Sequence, residues 1–142
     1  PGTLGLSLNL DEAVWVSADP KLLATVIENL LSNACKYANE PRATSVTLGG
    51  DRETAVIGIA DKGMGIRTKE LPRLFERFFR VGDELTRAVP GTGLGLFLCK
   101  EIILRHGGKI RASSRGPGLG SSFSIRLPRI AVPPSAQSGR KG

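Results

Sequence analysis

A chain of 142 residues can hold one domain with a sizeable core and is too short for two of ordinary size. Hydrophobic residues at 40% and charged residues at 23% suit a soluble globular domain, and no apolar run approaches the ~20 residues of a membrane span. The net charge of +7 raises a nucleic-acid reading, but the basic residues are scattered and base-stacking aromatics are few, so no nucleic acid is expected as a partner. A small anionic ligand or an acidic protein accounts for the sign as well. No basic-then-apolar leader opens the chain, so a cytoplasmic location is expected, compatible with a longer parent protein anchored in the inner membrane.

Leu4, Leu6, Leu8 and Leu10 alternate with small or polar residues, the pattern of a half-buried strand, and a second short strand is expected at 14–17. Asp19 can cap a helix whose first residue is Pro20, and the helix should run to about Ala38. On it Leu23, Val26, Ile27, Leu30, Leu31, Ala34 and Ala38 form an apolar stripe, with Lys21, Thr25, Glu28 and Ser32 toward water. Asn29, Asn33 and Lys36, with Tyr37 beside them, border the stripe as a polar strip. Asn is a poor helix former. Its carbonyl oxygen is a hard neutral ligand suited to Mg²⁺ shared with phosphates, and Lys36 one turn on would meet phosphate charge. The plain alternative is an ordinary helix boundary.

Strands are expected at 42–50 and 54–61, joined by Gly49-Gly50-Asp51. The second ends at Asp61, followed by Gly63 and Gly65. A carboxylate there can accept a hydrogen bond from an exocyclic amine such as that of adenine, and the glycines let a base approach the backbone; a tight turn looks the same. Leu71, Leu74, Phe75 and Phe78 recur at helical spacing, giving a helix at 69–79 with both Phe side chains in the core, and Arg77 reads as a surface ion pair. Residues 81–92 lack periodicity and read as a long lid loop. A helix at 93–105, apolar on nearly every side and so buried, stops at Gly107-Gly108. Gly91, Gly93 and Gly95 lead into it, where free backbone N–H groups and the helix dipole favour an anion. Strands at 109–114 and 121–127 close the fold, and 129–142 read as a disordered tail after a domain of 1–128. Cys35 and Cys99 fall in apolar helical patterns and read as small buried hydrophobes, without disulfide or metal-ligand spacing. The segregated strands and helices give an α/β (α+β) two-layer sandwich, one mixed sheet with helices on one face.

Asn29-x-x-x-Asn33-x-x-Lys36, Asp61-x-Gly63-x-Gly65, the run Leu74-Phe75-Glu76-Arg77-Phe78-Phe79-Arg80, and Gly91-x-Gly93-x-Gly95, in this order, resemble the N, G1, F and G2 boxes of the ATP-binding catalytic domain of sensor histidine kinases. The resemblance extends to the superfamily of DNA gyrase, the heat-shock chaperone ATPase and the mismatch-repair ATPases, and covers about residues 4–127. It implies a Bergerat-type fold binding ATP and Mg²⁺. Asn33 would hold the Mg²⁺, with Asn29, Lys36 and Tyr37 lining the same cleft. Asp61, Gly63, Gly65 and Ile66 would take the adenine, and Phe79, Arg80, Gly91, Thr92, Gly93, Leu94, Gly95 and Leu96 would complete the nucleotide site. Catalysis would fall to Asn33, Lys36 and Arg80.

Where the gyrase and chaperone branches place a Glu as base for water, this chain has Asn29, and Glu28 points to solvent. ATP should therefore be held without rapid hydrolysis. The resemblance also implies γ-phosphate transfer to a histidine on a separate dimerisation domain, then signalling through a response regulator. His106 precedes two glycines at a helix end and does not read as the acceptor, so the chain alone should stay unlabelled; the resemblance places dimerisation in the helical hairpin, so the chain is expected to be monomeric. A protein-serine kinase of the anti-sigma-factor type and a non-catalytic ATP-gated interaction module remain as alternatives.

Overall fold

The computed structural model describes residues 6–10, 14–37, 44–80 and 94–130, with side chains for 14–34, 44–80 and 94–130. The expected lid at 81–92, the helix end at Ala38 and the tail from 131 onward lie outside the described residues.

The first helix, α1 (Pro20–Tyr37), starts where the sequence says it should. Asp19 Oδ1 accepts the N–H groups of Lys21 (2.9 Å) and Leu22 (3.2 Å), closing two of the donors a helix start leaves open. Its apolar stripe goes inward: Val26, Leu30 and Ala34 are buried, while Lys21, Thr25, Glu28 and Ser32 are exposed.

Six strands form one sheet: β1 (Leu6–Leu10), β2 (Trp15–Val16), β3 (Thr44–Gly50), β4 (Thr54–Asp61), β5 (Lys109–Ser113) and β6 (Ser121–Ile130). The order is β1-β3-β4-β6-β2, with β5 also pairing with β6. β1 and β3 run parallel, with Leu8 opposite Val46. A parallel pair needs a crossover connection, and α1 lies within it. Every other pair is antiparallel. The β3–β4 turn uses Gly50 at φ +127°, where a Cβ would overlap the Thr54 carbonyl oxygen. Asp51 Oδ1 accepts the N–H groups of Glu53 and Thr54, both at 2.9 Å, and these bonds hold its carboxyl below the usual range.

The inner face of the sheet carries Ala55 and Ile59 of β4, Ile110 of β5, and Phe123, Ile125 and Leu127 of β6, all buried. Val26 and Leu30 of α1 join Cys99 and Ile103 of the second helix, α2 (Gly95–Arg105), in the same core. The result is the expected two-layer sandwich, a mixed sheet with the helices on one face. The end of α2 is fastened to the start of α1 by His106: Nδ1 lies 2.7 Å from the Ile102 carbonyl, and Nε2 accepts the Asp19 N–H at 3.1 Å. No helix among the described residues is long and apolar enough to cross a membrane.

Four expectations need correction. Helix α2 is not buried all round: Leu98 and Leu104 are about half exposed, so only one stripe is buried. The segment expected as a helix at 69–79 is a 3₁₀ turn, Leu71–Arg73, followed by further turns. Pro72 fits only the first turn of a helix. Phe78, at the last of the helical spacings, takes φ +63° and is 68% exposed, so it is not in the core, whereas Phe75 packs against it. Finally, β6 runs two residues past Pro128. Arg129 donates its N–H to the Glu53 carbonyl (2.8 Å), and Val16 pairs with Arg129 and Trp15 with Ile130, so these two residues belong to the sheet rather than to a tail.

Candidate functional site

The corner after β4 is built around Asp61. Its Oδ1 accepts the N–H of Gly63 (2.8 Å) and, more distantly, that of Ser121 (3.3 Å), while Oδ2 accepts the Ser121 hydroxyl (2.9 Å). The carboxylate is thereby fixed by three donors with lone pairs to spare. Gly63 and Gly65 run alongside the loop that joins β5 to β6. Gly118 donates to the Met64 carbonyl (2.6 Å) and Gly120 to that of Gly63 (3.1 Å). Gly65 sits at φ +72°, and a Cβ there would overlap the Gly116 carbonyl oxygen; only glycine lets the two loops lie this close. Ile66 is buried in the core just below.

On the other side of the candidate cleft, the polar strip of α1 meets the start of α2. Asn29 and Asn33 are half-buried. Asn29 Nδ2 donates back to the Thr25 carbonyl (3.0 Å), leaving Oδ1 turned to α2: a Cβ on Gly95 would lie 3.3 Å from it. The helix begins after Leu94, which makes no side-chain cap, and no described side chain accepts the N–H groups of its first turn (Gly95, Leu96, Phe97). Together with the helix dipole they make a ready anion site beside the Asn strip. No described residue hydrogen-bonds the Asn33 amide. A neutral amide oxygen at this place fits Mg²⁺, which keeps waters and shares phosphate oxygens. Clusters of His, Cys, Asp and Glu that could hold a metal are absent among the described residues.

The Leu74–Arg80 run connects to this helix start through rings. Among the described residues Arg77 has no ion-pair partner; its guanidinium stands 4.6 Å from the centroid of Phe97, in the first turn of α2. Arg73 covers Phe79 at 4.5 Å and pairs with Glu76 at 3.1 Å. Phe75 meets Phe123 edge to face, 6.3 Å between centroids. Phe79 and Arg80 are half-buried. Of the remaining candidates, Lys36 and Tyr37 lie in the last turn of α1 with their side chains outside the described residues, as are Gly91, Thr92 and Gly93 altogether. Cys99 is fully buried, and burial pushes its thiol up to about 11.

Two residues that matter here were not singled out from the sequence. Ser121 binds Asp61 from 60 positions away, and Ser114 ties the two loops together. The run Gly116-Pro117-Gly118-Leu119-Gly120-Ser121 carried a signal, glycines two apart as in the other boxes, but read as a plain connection between strands. A polar depression of about 310 Å³ also borders Asp61, lined by Ser113, Ser114, Arg115, Leu119 and residues 120–122. None of its lining residues belongs to α1 or α2, so it is not the cleft just described.

The model of the histidine kinase-, DNA gyrase B- and HSP90-like ATPases matches residues 18–131. The sensor-like histidine kinase SenX3 of Mycolicibacterium smegmatis is 42% identical over 131 residues, 89% of this chain and 33% of the relative. The sensor histidine kinase RcsC of Escherichia coli K12 is 38% identical over 132 residues, 93% of this chain and 14% of the relative. The chain thus spans about a third or less of these relatives. Among solved structures, the mycobacterial sensor histidine kinase MprB superposes with a TM-score of 0.80 at 32% identity, covering 91% of this chain and 86% of that one. The catalytic domain of the histidine kinase ThkA gives 0.75 at 26% identity, covering 90% and 82%. With fold, box order and sequence in agreement, the chain belongs to the histidine kinase-, DNA gyrase B- and HSP90-like ATPase family, as a catalytic domain of the sensor histidine kinase type.

Proposed function

We propose that this domain binds Mg-ATP between α1, the Asp61 corner and the start of α2, and delivers the γ-phosphate to a histidine on a separate dimerisation domain. The observation that carries the reading is the start of α2, capped by no described side chain, set against Asn29. Backbone donors suited to phosphate beside a polar helix face, with the Asp61 carboxylate on the same side of the sheet, support it. Asp61 accepts the 6-amino group of adenine while Gly63 and Gly65 admit the ring. The first-turn N–H groups of α2 bind phosphate oxygens, aided by Lys36. Asn33 would hold Mg²⁺, which would supply charge neutralisation for the phosphates.

The residues of this chain position the nucleotide and stabilise charge. Arg80 meets the charge that develops on the transferring phosphoryl group. The incoming imidazole nitrogen forms the new N–P bond as the bond to the β-phosphate oxygen breaks, ADP leaves, and the imidazole proton passes to a carboxylate of the acceptor domain. Asn29 occupies the place from which a carboxylate would activate water, and Glu28 is exposed, which supports slow hydrolysis. Both ring nitrogens of His106 are engaged in backbone contacts, which supports its exclusion as acceptor. The phosphate then passes to a response regulator in the cytoplasm.

The test is incubation with Mg²⁺ and labelled ATP, alone and with a separate histidine-bearing hairpin domain. The expected result is no label on this chain and acid-labile label on the hairpin. Label on this chain alone, or acid-stable label on the partner, overturns the proposal.

A further inference from the structure

We propose that Ser114, which lies in none of the four sequence boxes, is a positioning residue for recognition of the nucleotide base. This inference rests on the assignment of the Asp61 corner to adenine and deepens it. Ser114 follows β5 directly and is half-buried. Its Oγ accepts the N–H of Ile66 (3.0 Å) and that of Gly116 (3.2 Å), and donates to the Gly120 carbonyl at 2.6 Å. A hydroxyl has one proton and two lone pairs, so these three bonds use its full capacity. The Gly116 carbonyl lies farther off, at 3.4 Å, and loses the proton to Gly120.

The peptide between Gly120 and Ser121 is the point of leverage. Its carbonyl accepts the Ser114 hydroxyl, and its N–H donates to Asp61 Oδ1 at 3.3 Å. A planar peptide cannot turn one of these groups without the other. The same residue's hydroxyl binds Asp61 Oδ2 at 2.9 Å. Ser114 therefore sets the plane that aims the carboxylate. Through the Ile66 N–H it also holds the far end of the Gly63–Gly65 stretch along which the base would lie. A single hydroxyl joins both walls of the base corner across 48 positions of sequence. Its removal leaves one carbonyl (Gly120) and two amides (Ile66 and Gly116) without that partner and frees the peptide to rotate, but touches nothing at the start of α2.

The loss should fall on base discrimination. ATP and inosine triphosphate share their phosphates and differ at purine position 6, where an amine is replaced by a carbonyl. Wild-type chain is expected to prefer ATP in calorimetric titrations with Mg²⁺. In Ser114→Ala the ATP affinity should drop about tenfold, the scale of one hydrogen bond to a charged group loosened, with inosine triphosphate affinity nearly unchanged. Ser114→Thr, which keeps the hydroxyl, should restore the preference, and amide exchange at Ile66 and Ser121 should speed up in the alanine variant alone. Should alanine not fold, the near-isosteric Ser114→Cys keeps the volume, weakens the bonds and gives the same readout. A purely structural role would lower the melting temperature and leave the ratio of the two nucleotides intact; a folded Ser114→Ala or Ser114→Cys with the wild-type ratio overturns the inference. A wild type that does not discriminate between the nucleotides overturns the base-corner assignment itself, and this inference with it.

Discussion

Replacing Asp61 by Asn tests the base corner with little change of shape. Two backbone donors, from Gly63 and Ser121, point at Oδ1, so the amide oxygen will occupy that position. The amide nitrogen then replaces Oδ2, where the Ser121 hydroxyl now donates. That hydroxyl can rotate and accept instead, so the fold should lose less than about 1 kcal/mol. The adenine amine cannot adapt in the same way, since it would face another donor. Losing a hydrogen bond to a charged group costs about 1.5–3 kcal/mol, roughly a ten- to hundredfold weaker ATP complex. Inosine triphosphate presents a carbonyl at the same position and should bind Asp61→Asn more tightly than it binds wild type. Removing a negative charge affects both nucleotides alike, so their ratio isolates the base contact. The assay is calorimetric titration of both proteins with both nucleotides, with thermal melts as the control for folding. An unchanged ratio in folded Asp61→Asn refutes the reasoning and removes Asp61 from the base site.

Phe75→Ala should cost about 2–3 kcal/mol in urea unfolding, because the ring packs on the core and on Phe123, whereas exposed Phe78→Ala should stay within about 0.5 kcal/mol; equal losses would show that the two rings are not divided as described. Asn33→Ala should raise the Mg²⁺ concentration needed for ATP binding about tenfold, the scale of one lost ligand contact, and an unchanged Mg²⁺ dependence would exclude Asn33 as the metal ligand. Cys99 yields a pH prediction. Its thiol ionises near 9.0 when free and about 11 when folded, so between these values the unfolded chain loses the proton first and stability falls as pH rises. Urea titrations from pH 8 to 11 should show a loss on the order of 2–3 kcal/mol beyond that of Cys99→Ala, and parallel curves for the two proteins would contradict it.

Helix α1 was legible because its signals are local: Asp19 and Pro20 mark the start, and the apolar stripe and exposed face follow a 3.6-residue period. The strands were legible for the same reason, since alternation in Ala55–Ile59 and Phe123–Leu127 reports a single buried face. The Leu71–Phe78 spacing misled because hydrophobic recurrence does not fix backbone geometry, and at exposed Phe78 it did not report burial either. A 3₁₀ turn and a left-handed Phe78 give the same spacing as a helix. Leu98 and Leu104 misled in the same way, being apolar yet exposed on α2. At the site, Asn29, Asn33 and Asp61 could be named because their residue types carry the chemistry. Ser114 and Ser121 were not named, because their hydrogen bonds span 48 and 60 positions, and the spaced glycines before Ser121 do not say what it meets.

The measurement that bears most directly on the central claim is a calorimetric titration of the folded wild-type chain with Mg-ATP, run beside Mg-inosine triphosphate. The account predicts saturable one-to-one binding of ATP that weakens when Mg²⁺ is chelated and exceeds that of the inosine nucleotide. Absence of heat from millimolar ATP, with the chain folded and cooperative in thermal melting, would contradict it.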